Sequence, residues 1–287
     1  VPIYVAMDSA DVWAAPSQFY LNGNLEPIDV AGCPPDAFSD DGQLWGNPLF
    51  RWDVMEQDNY RWWTKRLSKM SKLFDVVRID HFRGFESYYA IPYGDKTAKN
   101  GQWRKGPGIG LFRAMEQELG RLHIIAEDLG FLTEAVHEML KESGYPGMKV
   151  LQFAFDTRED GDYLPHNYNT NSVAYAGTHD NDTILGWLKH APKPCVAFAK
   201  EYLNLQQEEG YNWGVMRAAW SSVSDTAVVT MQDLLGIGSK GRMNTPSTLG
   251  CNWTWRMEPG AIDAKLIRRI SKQMDLYGRA PKERAMA

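Results

Sequence analysis

The chain has 287 residues, 44% hydrophobic and 23% charged, with a formal net charge of −5. This composition suits one large globular domain or two small ones, and the lack of a basic stripe argues against nucleic acid as a partner. Its longest apolar runs are far too short to cross a bilayer, and the opening VPIYVAMDSADVW has no basic segment, so neither a membrane partner nor a signal peptide is expected.

In chain order, the first strand is predicted at 3–8, IYVAMD. Residues 12–56 are rich in Pro, Gly, Asn and Asp and read as a loop excursion. A helix is predicted over 57–72, then a strand at 73–80, LFDVVRID. GPGIG at 106–110 reads as a turn into a helix at 111–119, since it follows a polar segment and not a strand. A strand at 122–128 and a helix at 133–142 come next. Strands follow at 148–156, 173–180 and 226–233, with a helix at 182–189 and an amphipathic one at 261–276. Residues 157–172 read as a polar loop. Continuous apolar strands alternating with helices indicate an α/β fold with parallel sheet.

Polar residues gather at the C-terminal ends of these strands, where active sites lie in (β/α)8 TIM barrels and in doubly wound sheets. No Gly-rich phosphate loop follows a strand, which favours the barrel. Six strands are legible and closure needs eight. The chain also opens inside a strand without an initiator Met, so the expected fold is an incomplete barrel over 1–287, holding strands 3 to 8, with strands 1 and 2 missing. The excursion at 12–56 would lie over its mouth, and strands hidden in that segment are the competing explanation.

Three carboxylates, Asp80, Glu127 and Asp180, end three different strands. Two carboxylates flanking a bond are the minimum for glycoside chemistry. Arg78 lies two residues from Asp80, on the same strand face, where its charge would keep the carboxylate ionised. Glu127 follows an apolar run without an adjacent cation, and burial there would raise its pKa, as a general acid requires. Asp128 alternates to the other face and suits backbone or a helix start. His81 and His179 flank Asp80 and Asp180 as candidate donors to sugar hydroxyls. Asp182 and Thr183 are expected to cap the next helix, the ordinary use of strand-end polar residues and one open to Asp8, Asp156 and Asp233. Metal binding is the rival use of acid-and-histidine clusters, but no HxxxH, HxH or EF-hand spacing appears. A GxSxG nucleophile elbow is absent too.

Cys33, Cys195 and Cys251 lie far apart, with no CxxC pair, and read as reduced thiols of a cytosolic protein. Most aromatic residues suit core packing. Trp13, Trp45, Trp253 and Trp255 lie in Gly/Pro/Asn-rich stretches, where an exposed ring suits stacking on a sugar.

PIYVAMDSADVW (2–13), PPDAFSDDGQLWGNPLFRW (34–52), VRIDHFRGF (77–85), IIAEDLG (124–130), LQFAFD (151–156), GTHDNDT (177–183) and GRMNTPSTLGCNWTWRM (241–257) run through the chain in order. Together they resemble the 4-alpha-glucanotransferases of glycoside hydrolase family 77, called amylomaltase or disproportionating enzyme. The resemblance implies a distorted (β/α)8 barrel that cleaves an α-1,4-glucan and passes the glucanosyl piece to the 4-hydroxyl of another sugar, with retention. It implies Asp80 as nucleophile, Glu127 as acid/base and Asp180 as the third carboxylate. Arg78, His81 and His179 match the polar residues around these. Trp45 and Phe153 match the family's sugar-contacting aromatics, and Asn244 and Pro246 lie in a loop that resembles its mobile glucan-binding loop. Ser247 stands where the family commonly has Gly. Expected partners are α-1,4-glucans and maltooligosaccharides, and the expected location is the cytoplasm, or the plastid in a plant. No site for a metal, nucleotide or pyridoxal phosphate is visible, so no cofactor is expected. An α-glucan hydrolase is the alternative among enzymes, and an inactive glucan-binding remnant is the alternative outside them.

Overall fold

Pro2 stops the first predicted strand almost as it begins. The backbone nitrogen of Val1 donates to the Arg78 carbonyl (2.6 Å), and Asp80 N–H donates to the Val1 carbonyl (2.9 Å). Pro2 has no N–H to extend that ladder. Residues 3–8 therefore run through bends and turns, and Ile3 and Tyr4 are apolar because they are buried. This corrects the strand expected at 3–8. The computed structural model describes residues 1–35, 39–130, 132–156, 161–246 and 248–281. The chain divides into two units, Val1–Gly147 and Met148–Ala287.

The first unit opens with the short helix α1 (Ala10–Ala14), capped by the Ser9 hydroxyl. The segment expected as a loop excursion then holds strands β1 (Asp29–Cys33) and β2 (Gln43–Pro48), which is a correction. Gly32 is the reason they can pair closely: a Cβ there would lie 2.1 Å from the Gln43 carbonyl oxygen and 2.4 Å from Ile91 Cδ1. Helix α2 (Trp52–Gln57) and helix α3 (Arg61–Leu73) replace the single helix expected over 57–72. Asn59 and Tyr60 both take positive φ between them, and the Asp58 carboxylate accepts from Arg61 N–H at the new start.

Strand β3 (Val77–Ile79) is followed by β4 (Ser87–Pro92) and β5 (Gln102–Lys105). The sheet order β2-β1-β4-β5 is antiparallel throughout. Helix α4 (Ile109–Leu119) starts directly after the Gly-rich turn, with Gly108 as its N-cap. Strand β6 (Ile124–Ala126) pairs in parallel with β3, and helix α5 (Glu134–Ser143) follows. The core of this unit is aromatic: Phe50, Trp63, Phe82 and Phe85 are fully buried, and the Trp63 and Phe85 rings lie 5.1 Å apart.

In the second unit, strands β7 (Gly147–Val150), β8 (Ser172–Tyr175) and β9 (Thr226–Val228) form a sheet in that order, with β8 and β9 parallel. Helix α6 (Ile184–His190) follows β8 and is capped by the Thr183 hydroxyl. Helices α7 (Lys193–Tyr202) and α8 (Tyr211–Ser221) were not foreseen. In α8 nearly every side chain is buried, Trp213, Met216 and Trp220 among them, so it lacks the polar stripe that marks a surface helix. Helix α9 (Met231–Leu234) takes over the second half of the strand expected at 226–233, because Thr230 caps it. The amphipathic helix α10 (Ala264–Leu276) packs Leu266, Ile270 and Met274 against the core of this unit.

Each parallel strand is shorter than its apolar run. Leu73 ends α3 and, like Phe74, is exposed, while 3-10 turns at Phe82–Phe85 and Leu151–Phe153 carry the trailing residues out of the ladder. Among the described residues the strands make sheets of four, two and three strands.

Candidate active site

Parallel pairing of β3 with β6 sets Arg78 beside Ile125, and Glu127 N–H donates to the Ile79 carbonyl (2.9 Å). Both strands thus deliver their terminal carboxylates to one end of the sheet. Arg78 Nη2 meets Asp80 Oδ1 at 2.6 Å, as their spacing of two residues on one strand face predicts. The Asp80 side chain is about half exposed, at 52%.

Glu127 has the opposite environment. Its Oε2 accepts from His81 N–H (2.7 Å) and its Oε1 from Leu129 N–H (2.9 Å). Burial and then the charge of Asp80 push its pKa up to about 7, against the pull of those two donors and of Arg78. Adjacent strands therefore hold one carboxylate in a solvated, cation-paired setting and one in a desolvated setting. That split is how a single site keeps a base and an acid at the same pH.

His81 takes a left-handed backbone (φ 53°), a sparsely populated conformation for a residue with a side chain. The turn aims its N–H at Glu127 and its ring at Trp45, edge-on at 4.9 Å. Burial, reinforced by the charge of Arg83, pushes the imidazole down to about 4, so it is neutral at pH 7. Trp45 is set by β2, whose Asn47 donates to the Val5 carbonyl (2.9 Å). Gly84 makes room for the ring: an added Cβ would lie 2.8 Å from His81 Cδ2 and 2.8 Å from Ile3 Cδ1. Gly84→Ala is accordingly expected to displace His81, cost about 1–3 kcal/mol of stability and slow turnover. Urea unfolding and initial rates test this, and a variant matching wild type in both would refute it.

The second unit brings His179, Asp180 and Asn244 together. Asn244 Nδ2 donates to Asp180 Oδ1 (2.6 Å), His179 Nε2 lies 3.3 Å from Asp180 Oδ2, and Asn244 N–H donates to the His179 carbonyl (3.0 Å). Trp253 packs on the His179 ring with centroids 5.2 Å apart. Phe153 is part-exposed and meets Tyr163 edge-on at 5.7 Å. Pro246 is exposed two residues beyond Asn244. Ser247, and residues 36–38 and 157–160 of the sequence segments above, lie outside the described residues.

Two expected caps turn out differently. Thr183 caps α6 through its hydroxyl, while Asp182 accepts from Ser239 Oγ (2.7 Å) and from Thr183 N–H (2.8 Å). Asp233 caps the start of α6 from a distance, accepting from Ile184 N–H (2.7 Å). Asp128 is buried, with Gly147 so close that a Cβ there would lie 2.3 Å from its Oδ2. Sequence reasoning missed Arg242, which donates to the Asp180 carbonyl (2.7 Å). Its only signal was a cation two residues before Asn244. Among the described residues, no group of three or more His, Cys, Asp and Glu side chains is placed to hold a metal ion, and no helix is long and apolar enough to cross a membrane.

A family model described as 4-alpha-glucanotransferase matches residues 1–263. A 4-alpha-glucanotransferase of Clostridium butyricum is 51% identical over 97% of this chain and 58% of its own length. That of Thermus thermophilus is 47% identical over 94% of this chain and 55% of its own. Among solved structures, the amylomaltase from Streptococcus agalactiae in complex with acarbose superposes with a TM-score of 0.94 at 40% identity. It covers 98% of this chain, which matches 57% of it. The chain thus has the α/β fold of amylomaltase, and spans 58% of the Clostridium butyricum relative. With the family model matching residues 1–263 and a relative 51% identical over 97% of its length, the chain belongs to the 4-alpha-glucanotransferase family.

Proposed function

We propose that this chain carries the catalytic residues of a retaining 4-alpha-glucanotransferase. The observation that carries the reading is the pairing of a buried, proton-holding Glu127 with the solvated, Arg78-bound Asp80 at the ends of neighbouring parallel strands. An Asp80 oxygen attacks the anomeric carbon of the glucan while the glycosidic C–O bond breaks. Glu127 gives its proton to the departing oxygen, leaving a glucosyl ester on Asp80. The 4-hydroxyl of an acceptor sugar then attacks the same carbon, its proton passes to the Glu127 carboxylate, and the Asp80 ester bond breaks. Two inversions give net retention.

Asp180 and His179 grip sugar hydroxyls, and neutral His81 donates to another. Trp45 and Phe153 offer ring faces to the sugars, and Asn244 and Pro246 belong to the loop that closes on them. The architecture consistent with this reading is that of a (β/α)8 barrel, whose catalytic carboxylates sit at the C-terminal ends of parallel strands, as Asp80 and Glu127 do after β3 and β6. Substrates are α-1,4-glucans and maltooligosaccharides. The three cysteines, none of them in a disulfide among the described residues, suit a reducing cytoplasm, or a plastid in a plant.

Maltotriose separates transfer from hydrolysis. The expected products are glucose and a ladder of longer maltooligosaccharides, with the number of reducing ends constant. A rise in reducing ends would replace the transferase reading with a hydrolase. Binding of maltotriose without any turnover would replace both with a glucan-binding role.

A further inference from the structure

Arg242 touches neither proton nor nucleophile in the scheme above, yet it is bonded to both halves of the Asp180 arrangement. Its Nη2 donates to the Asp180 carbonyl (2.7 Å) and its Nε to the Asn244 carbonyl (2.9 Å). Asn244 closes the ring through its amide on Asp180 Oδ1 (2.6 Å) and its N–H on the His179 carbonyl (3.0 Å). The two loops lie 62 positions apart in sequence, and neither is helix or strand at these residues, so beyond the Asn244–His179 backbone bond no regular ladder fixes one against the other. A guanidinium donates along two directions from a rigid fork, which a lysine ammonium cannot copy. A carboxylate that must meet sugar hydroxyls has to be held within roughly 0.5 Å of its working position.

We propose that Arg242 is a positioning residue for transfer: it locks Asn244 in place so that the Asn244 amide holds the Asp180 carboxylate at the angle that meets the substrate. This rests on the reading of Asp180 as the third carboxylate. Arg242 lines an open cleft of about 480 Å³ together with Ser239, Lys240 and Trp255, which gives a small cation from solvent a route to its place once the side chain is cut back.

That access supplies the test. In the protein that carries this chain, Arg242→Ala is expected to lower kcat on maltotriose by about 10²-fold, the loss typical of a catalytic group displaced by an ångström, with KM changed far less. Millimolar guanidinium chloride, well below denaturing concentration, is expected to restore about tenfold of that loss in Arg242→Ala and none in wild type. Arg242→Lys, able to serve one carbonyl, is expected between the two, and it carries the test if the alanine variant fails to fold. Adding Asn244→Ala to Arg242→Ala is expected to cost little more, because both act through one carboxylate. Wild-type kcat in the lysine and alanine variants overturns the proposal, as does a loss that guanidinium does not relieve and that tracks a lowered Tm. Asp180→Asn, measured alongside, separates the two levels: if that variant turns over normally, the role of Asp180 falls, whatever Arg242 does.

Discussion

Asp80→Asn loses transfer by at least about 10⁴-fold and still binds glucan: this is the result expected if Asp80 forms the ester. The amide keeps the shape of the side chain but makes a poor nucleophile and carries no charge for Arg78. That guanidinium depends on the contact, since its buried Nε already has no hydrogen-bond partner among the described residues. Initial rates with maltotriose measure the loss, and calorimetric titration with a maltooligosaccharide measures binding. Near-normal turnover would remove Asp80 from its role, and loss of binding together with turnover would assign it to substrate recognition instead.

Glu127→Gln is expected to cost about 10²–10⁴-fold, the usual contribution of a positioned acid/base. Its pH dependence is the sharper test. Glu127 must be protonated to assist departure, so wild-type kcat/KM falls as pH rises through about 7, and the glutamine variant lacks that limb. Stability follows the same group. The folded pKa, about 7, lies above the ordinary glutamate value of 4.5, so the protonated form is favoured in the fold. The stability this contributes is fully present below about 4.5 and is lost as pH rises through about 7, a change on the order of 3 kcal/mol. Relative to wild type, the glutamine variant therefore becomes more stable at pH 8 than at pH 5. Urea unfolding at both values checks this, and a difference independent of pH would show that Glu127 is not held as a buried acid.

The parallel strands β3 and β6 were legible as apolar runs because their alternate residues pack into the core while the residues between them are part-buried. Val77, Ile79, Ile124 and Ala126 are all buried. The antiparallel strands were not. Residues 43–46 of β2 bury little, and β1 depends on Gly32, so neither shows the alternation that marks a half-buried strand. Helix α8 was hidden for the opposite reason, being buried on nearly every side.

At the candidate site, residue types and spacing sufficed for what is local. Arg78 reaches Asp80 because residues two apart on a strand share a face, and Glu127 follows an apolar run that buries it. Contacts between segments distant in sequence were beyond reach. Which N–H groups hold the Glu127 carboxylate depends on the left-handed turn at His81, a backbone state that chain context imposes on an unfavourable residue. Likewise, Arg242 and Asn244 reach Asp180 across 62 and 64 positions. A side chain's own chemistry is written in the chain, but its partner is chosen by folding, because hydrogen bonds of about 3 Å demand a register that only packing supplies.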